Sequence, residues 1–269
     1  MTTIDFALIT YRPEGIKRVA ENNLPILPGV RYVVSWQSHE NTPIPPELIR
    51  QDILIYRYDG KGLSNNRNNA ISHCTADVIV FADDDIELYP DGIRKLQETY
   101  SAHPEIDFLS FRAILSNKIH PDKPVKLDLP LPACYYIASV EISFRRSAAL
   151  LCCPELGLNS PYMHGGEDEI LLVSALKRGL NCWYFPITVS RHEHASTGTR
   201  TDLSSSYLRA SGCVIALTYP WWQTILRLPL KAWRLHNANQ SSFLRALIYL
   251  TEGAILSGPL LRRNRNSLW

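Results

Sequence analysis

Asp77-Val78-Ile79-Val80-Phe81-Ala82-Asp83-Asp84-Asp85 reads as a short buried strand that runs into three consecutive acids. Side chains alternate along a strand, so Asp83 and Asp85 share a face if the backbone stays extended. Two carboxylates side by side repel each other unless something positive lies between them. Hard oxygen ligands with phosphate nearby suit Mg²⁺ or Mn²⁺. A solvated acidic turn is the plainer account of such a triplet. The buried strand in front of it argues for a site, because open α/β sheets bind ligands at the carboxyl ends of their strands.

Outward from that strand, apolar alternation and turn residues predict a repeating order. Ile4–Thr10 reads as a strand, Glu14–Asn23 as a helix, and Val30–Trp36 and Ile53–Tyr58 as strands. Leu63–Cys74 reads as a helix opened by Gly60-Lys61-Gly62, and Asp91–Ser101 as the helix after the acidic strand. Ile106–Phe111, Tyr135–Phe144, Asn181–Tyr184 and Thr188–His192 have strand character, Glu167–Arg178 is helical, and Asn117–Pro132 is a loop. Strands alternating with helices predict an α/β fold with a mostly parallel sheet flanked by helices.

The 269 residues suffice for one large domain or a domain with an appendage, and the net charge of +2 gives no reason to expect nucleic acid as a partner. The charge is uneven. From Leu203 on, Arg209, Arg227, Lys231, Arg234, Arg245, Arg262, Arg263 and Arg265 face one acid, Glu252. Helices are predicted from Pro220 and over Ser242–Leu256. Trp222, Leu226, Leu230 and Trp233 lie beside a basic row on the first, interrupted by Pro229. Such a pair suits an interfacial membrane anchor, or simple packing on the body of the protein, or both on different faces. The division expected is 1–202 as catalytic domain and 203–269 as a basic amphipathic helical region. The six cysteines (Cys74, Cys134, Cys152, Cys153, Cys182, Cys213) have no zinc or C-x-x-C spacing and read as small core residues. No signal-peptide pattern opens the sequence and no apolar run reaches the ~18–20 residues of a membrane span, which predicts a cytoplasmic protein.

Three further clusters carry chemistry. In Gly62-Leu63-Ser64-Asn65-Asn66-Arg67-Asn68, Ser64 is placed as an N-cap. Arg67 lies on the helix face toward the sheet, aimed at a diphosphate or at a structural carboxylate such as Asp83. His164-Gly165-Gly166-Glu167-Asp168-Glu169 opens a mostly buried helix. Acids there complement the helix dipole; Asp168 also shares a face with Leu171, Leu172 and Ala175, and a carboxylate against apolar surface is a better proton acceptor. Arg191 to Arg200 combines His192 and His194 at alternate positions with Ser196-Thr197-Gly198.

Together Gly62-Leu63-Ser64-x-x-Arg67-Asn68, Phe81-Ala82-Asp83-Asp84-Asp85, Gly166-Glu167-Asp168 and the His192 segment resemble the family-2 glycosyltransferases, inverting enzymes with the Rossmann-like GT-A fold. The resemblance implies that Thr10 and Tyr11 line the nucleotide pocket and that Arg67 contacts the diphosphate. It puts Asp83, Asp84 and Asp85 in the D-x-D position that holds ribose and a divalent metal (Mn²⁺ or Mg²⁺), with His192 as a further metal contact. Asp168 takes the place of the general base, beside Glu167 on the donor. The region Trp36-Gln37-Ser38-His39-Glu40 lacks the Asp with which many members read the base, and Asp59 is the candidate to replace it. The implied donor is a nucleotide sugar, a UDP-sugar first. The expected acceptor is a saccharide, lipid-linked in bacterial surface-polysaccharide assembly, met at the inner-leaflet membrane surface. Two rivals remain. An aspartate-nucleophile phosphatase also carries D-x-D after a strand, but Ile86 and Glu87 stand where its small residue and Thr or Val belong. A non-catalytic membrane-associated assembly partner would have no need of Asp83, Asp85, Asp168 and Arg67 together.

Overall fold

The computed structural model describes residues 1–115, 118–131, 136–192 and 203–263. Contacts divide it into two compact units: Met1–Lys61, Asn66–Leu150 and Ala175–His194 form one, and Gly62–Asn65, Leu151–Ser174 and Ala195–Trp269 the other. The expected division at 202 falls outside the described residues.

The first unit is built on a nine-stranded mixed sheet. Its strands are β1 (Ile4–Tyr11), β2 (Val30–Gln37), β3 (Ile53–Tyr58), β4 (Val78–Asp83), β5 (Glu87–Leu88), β6 (Phe108–Leu115), β7 (Val125–Lys126), β8 (Ile142–Arg145) and β9 (Cys182–His192). They run in the order β3-β2-β1-β4-β8-β6-β9-β5, with β7 also on β9. The helices of this unit are α1 (Arg12–Glu21), α3 (Pro90–Ala102) and most of α2 (Leu63–His73). From β3 to β4 every pairing is parallel, with Ile9 of β1 level with Asp83 of β4.

Alternation assigns the two faces. Phe6 and Leu8 of β1, Tyr32, Val34 and Trp36 of β2, and Val80 and Ala82 of β4 form one buried cluster with Ile16 and Val19 of α1 and Ile93 and Leu96 of α3. Each such side chain removed from water contributes about 1.5–3 kcal/mol. On the opposite face stand Ser35 and Phe81, which meet Asn66 and Arg67 of α2.

Beyond β4 the sheet departs from simple alternation. β8 runs antiparallel between β4 and β6. Of the strand expected over Tyr135–Phe144, only Ile142 onward is strand; Ser139–Glu141 is a 3₁₀ turn, and Tyr135 lies outside the described residues. The Glu141 side chain bends the chain there by accepting from the Ala138 N–H at 3.1 Å. The two short strands expected over 181–192 are one, β9, paired in parallel with β6. The pairing is irregular where Pro186, which has no N–H to give, interrupts it. The expected loop after β6 also contains β7, antiparallel to β9.

The second unit contains the start of α4 (Glu167–Lys177), then α5 (Ser205–Thr218), α6 (Trp221–Asn237) and α7 (Phe243–Arg263). α5 was not expected from the sequence. Its small residues explain the miss, because they serve a close crossing and not helix propensity. A Cβ on Gly212 would lie 1.9 Å from the Leu250 carbonyl oxygen of α7, and one on Gly253 of α7 would lie 1.9 Å from the Arg209 carbonyl oxygen of α5. Two backbones so close admit no methyl between them. Gly212→Ala is therefore expected to cost ~1–3 kcal/mol, read as a lower urea midpoint; an unchanged midpoint would mean the helices separate freely. α6 continues through Pro229. The five described cysteines are all buried. No described helix is long and apolar enough to cross a membrane.

Candidate active site

The acidic triplet splits between the two faces of the sheet. The chain leaves β4 at Asp83 and turns at Asp84–Asp85, so the extended backbone that the triplet would need ends at its first acid. Asp84 faces α1. Its carboxylate accepts from Thr10 Oγ1 at 2.7 Å and from Arg18 Nε and Nη2 at 3.1 and 2.9 Å. Its carbonyl accepts from Asn22 Nδ2 at 2.8 Å. Burial lifts its carboxyl above the usual range, against the pull of Thr10 and Arg18. Thr10 and Asp84, both expected at the nucleotide, thus spend these polar atoms tying β1, β4 and α1 together. Arg18→Ala is expected to cost ~1–2 kcal/mol by denaturation, reduced by the half-exposed position of Arg18; no loss would mean that Thr10 alone holds the carboxylate.

Asp83 faces α2. Its Oδ2 accepts from Ser139 Oγ at 3.1 Å, and Arg67 Nη2 lies 3.5 Å from its Oδ1. Arg67 is buried, with its guanidinium 5.5 Å over the Phe81 ring. The rest of the Asn-rich helix start explains how Arg67 is aimed. Asn66 Nδ2 donates to the Thr10 carbonyl at 3.1 Å, and Ser35 Oγ donates to Asn66 Oδ1 at 2.6 Å. Asn69 Nδ2 completes the network on Ser35 Oγ at 2.8 Å. Ser64 is not the N-cap: it lies inside α2, and its hydroxyl donates to the Leu156 carbonyl at 2.7 Å.

Asp85 meets His192, with Nε2 3.1 Å from Oδ1. The contact follows from topology, since Glu87 of β5 pairs with Arg191 of β9. Two residues read separately from the sequence are thus neighbours. Glu193, His194 and Ser196-Thr197-Gly198 lie outside the described residues.

At the ends of β2 and β3, His39 Nε2 lies 3.1 Å from Asp59 Oδ1, with Asp59 almost fully exposed. His39 therefore occupies the end of the second strand, where no Asp is present, and it carries Asp59 beside it. Tyr11 is half-exposed under the Arg12 guanidinium, 4.9 Å from its ring centroid.

Sequence reading missed Ser139 and the residues behind it. Glu141, on the same turn, is fully buried and is met by both Lys118 and His120. Ion pairs so deep are expensive, and this one fixes the turn that presents Ser139 to Asp83. No motif announces it, because the partners lie more than twenty residues away in an unpatterned segment.

The second unit carries the other acids. Gly165 and Gly166 have φ of 126° and 81°, a region that only glycine enters without strain. The Gly166 carbonyl accepts the first helical bond of α4, from Ile170 N at 3.0 Å. Glu167 is buried and Asp168 is half-buried. A Cβ on Gly157 would come within 3.3 Å of Glu167 Cδ and 3.1 Å of Ser64 Oγ. This glycine keeps the space beside the two polar side chains open.

The donor set suits a divalent cation bound together with phosphate. Asp83 Oδ1 is buried and accepts no hydrogen bond from the described residues; Asp85 and His192 add oxygen and imidazole. Among the described residues no group of three or more such side chains is placed as a closed metal cage. Mg²⁺ and its like are held by one or two carboxylates plus substrate phosphates, so an open set is what they require.

Residues 46–171 match the family model for glycosyl transferase family 2. The pre-mycofactocin glycosyltransferase of Mycobacterium tuberculosis is 22% identical over 179 residues, which are 62% of this chain and 37% of that protein. The chain therefore spans little more than a third of the length of this relative. Among solved structures, S. aureus TarS residues 1–349 in complex with UDP-GlcNAc superposes with a TM-score of 0.55 at 12% identity, over 99% of this chain and 93% of that one. A longer S. aureus TarS structure gives a TM-score of 0.60 at 11% identity, over 98% and 55%. The likeness extends over almost the whole chain, which has the expected GT-A architecture.

Proposed function

We propose that the chain, whose residues 46–171 match glycosyl transferase family 2, is a glycosyltransferase that moves a sugar from a nucleotide-sugar donor to an acceptor hydroxyl with inversion at the anomeric carbon. The observation that carries this reading is the set Asp83, Arg67, Asp85 and His192 at the carboxyl ends of β4 and β9 and the start of α2. A UDP-sugar is the first donor to consider, since TarS holds UDP-GlcNAc. Residues 1–202 carry the catalysis and residues 203–269 form a basic helical region. Tyr11, His39 and Asp59 border the base, with Thr10 and Asp84 shaping the strand ends beneath it.

Leaving diphosphate carries growing negative charge as the glycosidic bond breaks. Arg67, permanently cationic and held by its helix, offers its fork of N–H groups to that charge. Asp83, Asp85 and His192 would hold a divalent cation, which supplies further neutralisation of the diphosphate when bound. Asp168 takes the proton from the acceptor hydroxyl, whose oxygen attacks from the face opposite the nucleotide. Glu167 lines the donor beside Ser64.

The acceptor we propose is a lipid-linked saccharide of a surface polysaccharide, which a protein peripheral on the inner face of the cytoplasmic membrane would meet. A thermal-shift screen of nucleotide sugars in the presence of Mn²⁺ tests the donor reading. A donor at a hundred times its Kd stabilises by about 2.7 kcal/mol. If no nucleotide sugar raises the melting temperature, the reading fails.

A further inference from the structure

We propose that the outward faces of α6 and α7 form a docking surface for an anionic lipid bilayer. This goes beyond the transferase reading by fixing which side chains meet the membrane, and its failure would leave that reading standing. On α6, Thr224, Leu228, Ala232 and Leu235 are buried, and they share one stripe at 3.6 residues per turn. Leu228, Ala232 and Leu235 pack with Ala246 and Leu250 of α7. That stripe meets the needs of folding. A second, wider apolar face remains in solvent: Trp221, Trp222, Ile225, Leu226 and Trp233 are between 52% and 76% exposed. α7 repeats the arrangement, with Leu244, Ile248 and Ile255 exposed at helical spacing. Soluble surfaces seldom carry so many large apolar side chains together unless something covers them.

Charge and side-chain type say what covers them. α6 presents exposed Arg227 and Arg234, with Lys231 half-buried between them, and contains no acid, and α7 ends in Arg262 and Arg263. Glu252, the acid of α7, is bound to Arg209 at 2.8 Å. A second copy packed face to face would bring two basic rows together with no carboxylate on α6 to separate them. Anionic headgroups supply the missing charge. Tryptophan suits the boundary itself, with a large apolar body and one N–H for the headgroup layer. A helix of this kind lies in the interface plane with its apolar face among the acyl chains and its basic row at the phosphates.

Vesicle flotation of the full-length protein tests this, with phosphatidylcholine alone and phosphatidylcholine mixed with phosphatidylglycerol, at low and high salt. Binding to the mixed vesicles is expected, weakened but not abolished by salt. Arg227→Gln with Arg234→Gln should lower vesicle affinity about fivefold per charge and remove most of the salt sensitivity. Trp222→Ala with Trp233→Ala should remove the salt-resistant part, while the donor-induced thermal shift stays as in the wild type. Absence of binding to both vesicles overturns the proposal. Equal binding by the tryptophan variants overturns it too, as does sedimentation showing a dimer that the tryptophan variants dissociate, which would assign the face to a second copy.

Discussion

Asp168→Asn is expected to lower the rate of transfer by ~10²–10⁴ while leaving donor affinity nearly unchanged. Asn has the shape of Asp but cannot accept a proton at neutral pH, so the variant isolates the base function. Of the three acids that open α4, Glu167 is buried while Asp168 and Glu169 are half-buried. Asp168 is the half-buried one that stands in the Gly166-Glu167-Asp168 motif, and burial sets it apart from Glu167 as the better able to reach an incoming hydroxyl. Gly165 and Gly166 just before these acids, both at positive φ, let the chain turn into α4 close against α5, where a Cβ on Gly166 would lie 2.7 Å from Val214 Cγ2. Because the acceptor and not the nucleotide is the partner of this carboxylate, isothermal titration with the donor should give a wild-type Kd. A variant that binds donor poorly but retains kcat would exchange the roles and make Glu167 the base. Glu167→Gln, by contrast, should raise the donor KM more than it lowers kcat.

What the sequence disclosed follows the range of the interactions. β1 to β4 and α1 to α3 are each specified by local alternation and by turn residues at their ends, and the acid-ended strand lies where alternation put it. Ser139 and Glu141 were out of reach because their partners are Asp83, Lys118 and His120, far away in the chain and joined only by the antiparallel entry of β8. The pairing of Asp85 with His192 was equally hidden, although both residues were singled out, since it depends on β5 meeting β9. Asp84 illustrates the converse. Adjacent acids invite a common role, yet strand geometry sends Asp84 to the α1 face, where Arg18 and Thr10 hold it. α5 escaped notice because Gly212 lowers helix propensity while permitting the crossing that makes the helix stable.

Removal of divalent metal is expected to lower turnover at least ~10²-fold, with recovery on adding Mn²⁺ or Mg²⁺. The argument starts from charge at the strand ends. Asp83 and Asp85 are close in sequence at a point where the donor must bring two further negative phosphates. Among the described residues Arg67 is the buried cation beside Asp83, 3.5 Å from Oδ1, and its one guanidinium does not balance two carboxylates and a diphosphate. His192 contributes positive charge at Asp85 only when protonated. Asp85→Asn should therefore raise the Mn²⁺ concentration for half-maximal donor-induced thermal shift by about tenfold or more, the loss of one charged ligand being worth at least ~1.4 kcal/mol. That shift is a binding readout, independent of the chemical step. Two results would sink the idea: full turnover in excess EDTA, or a donor shift in Asp85→Asn with wild-type metal dependence. Either would transfer the task of balancing the diphosphate to Arg67.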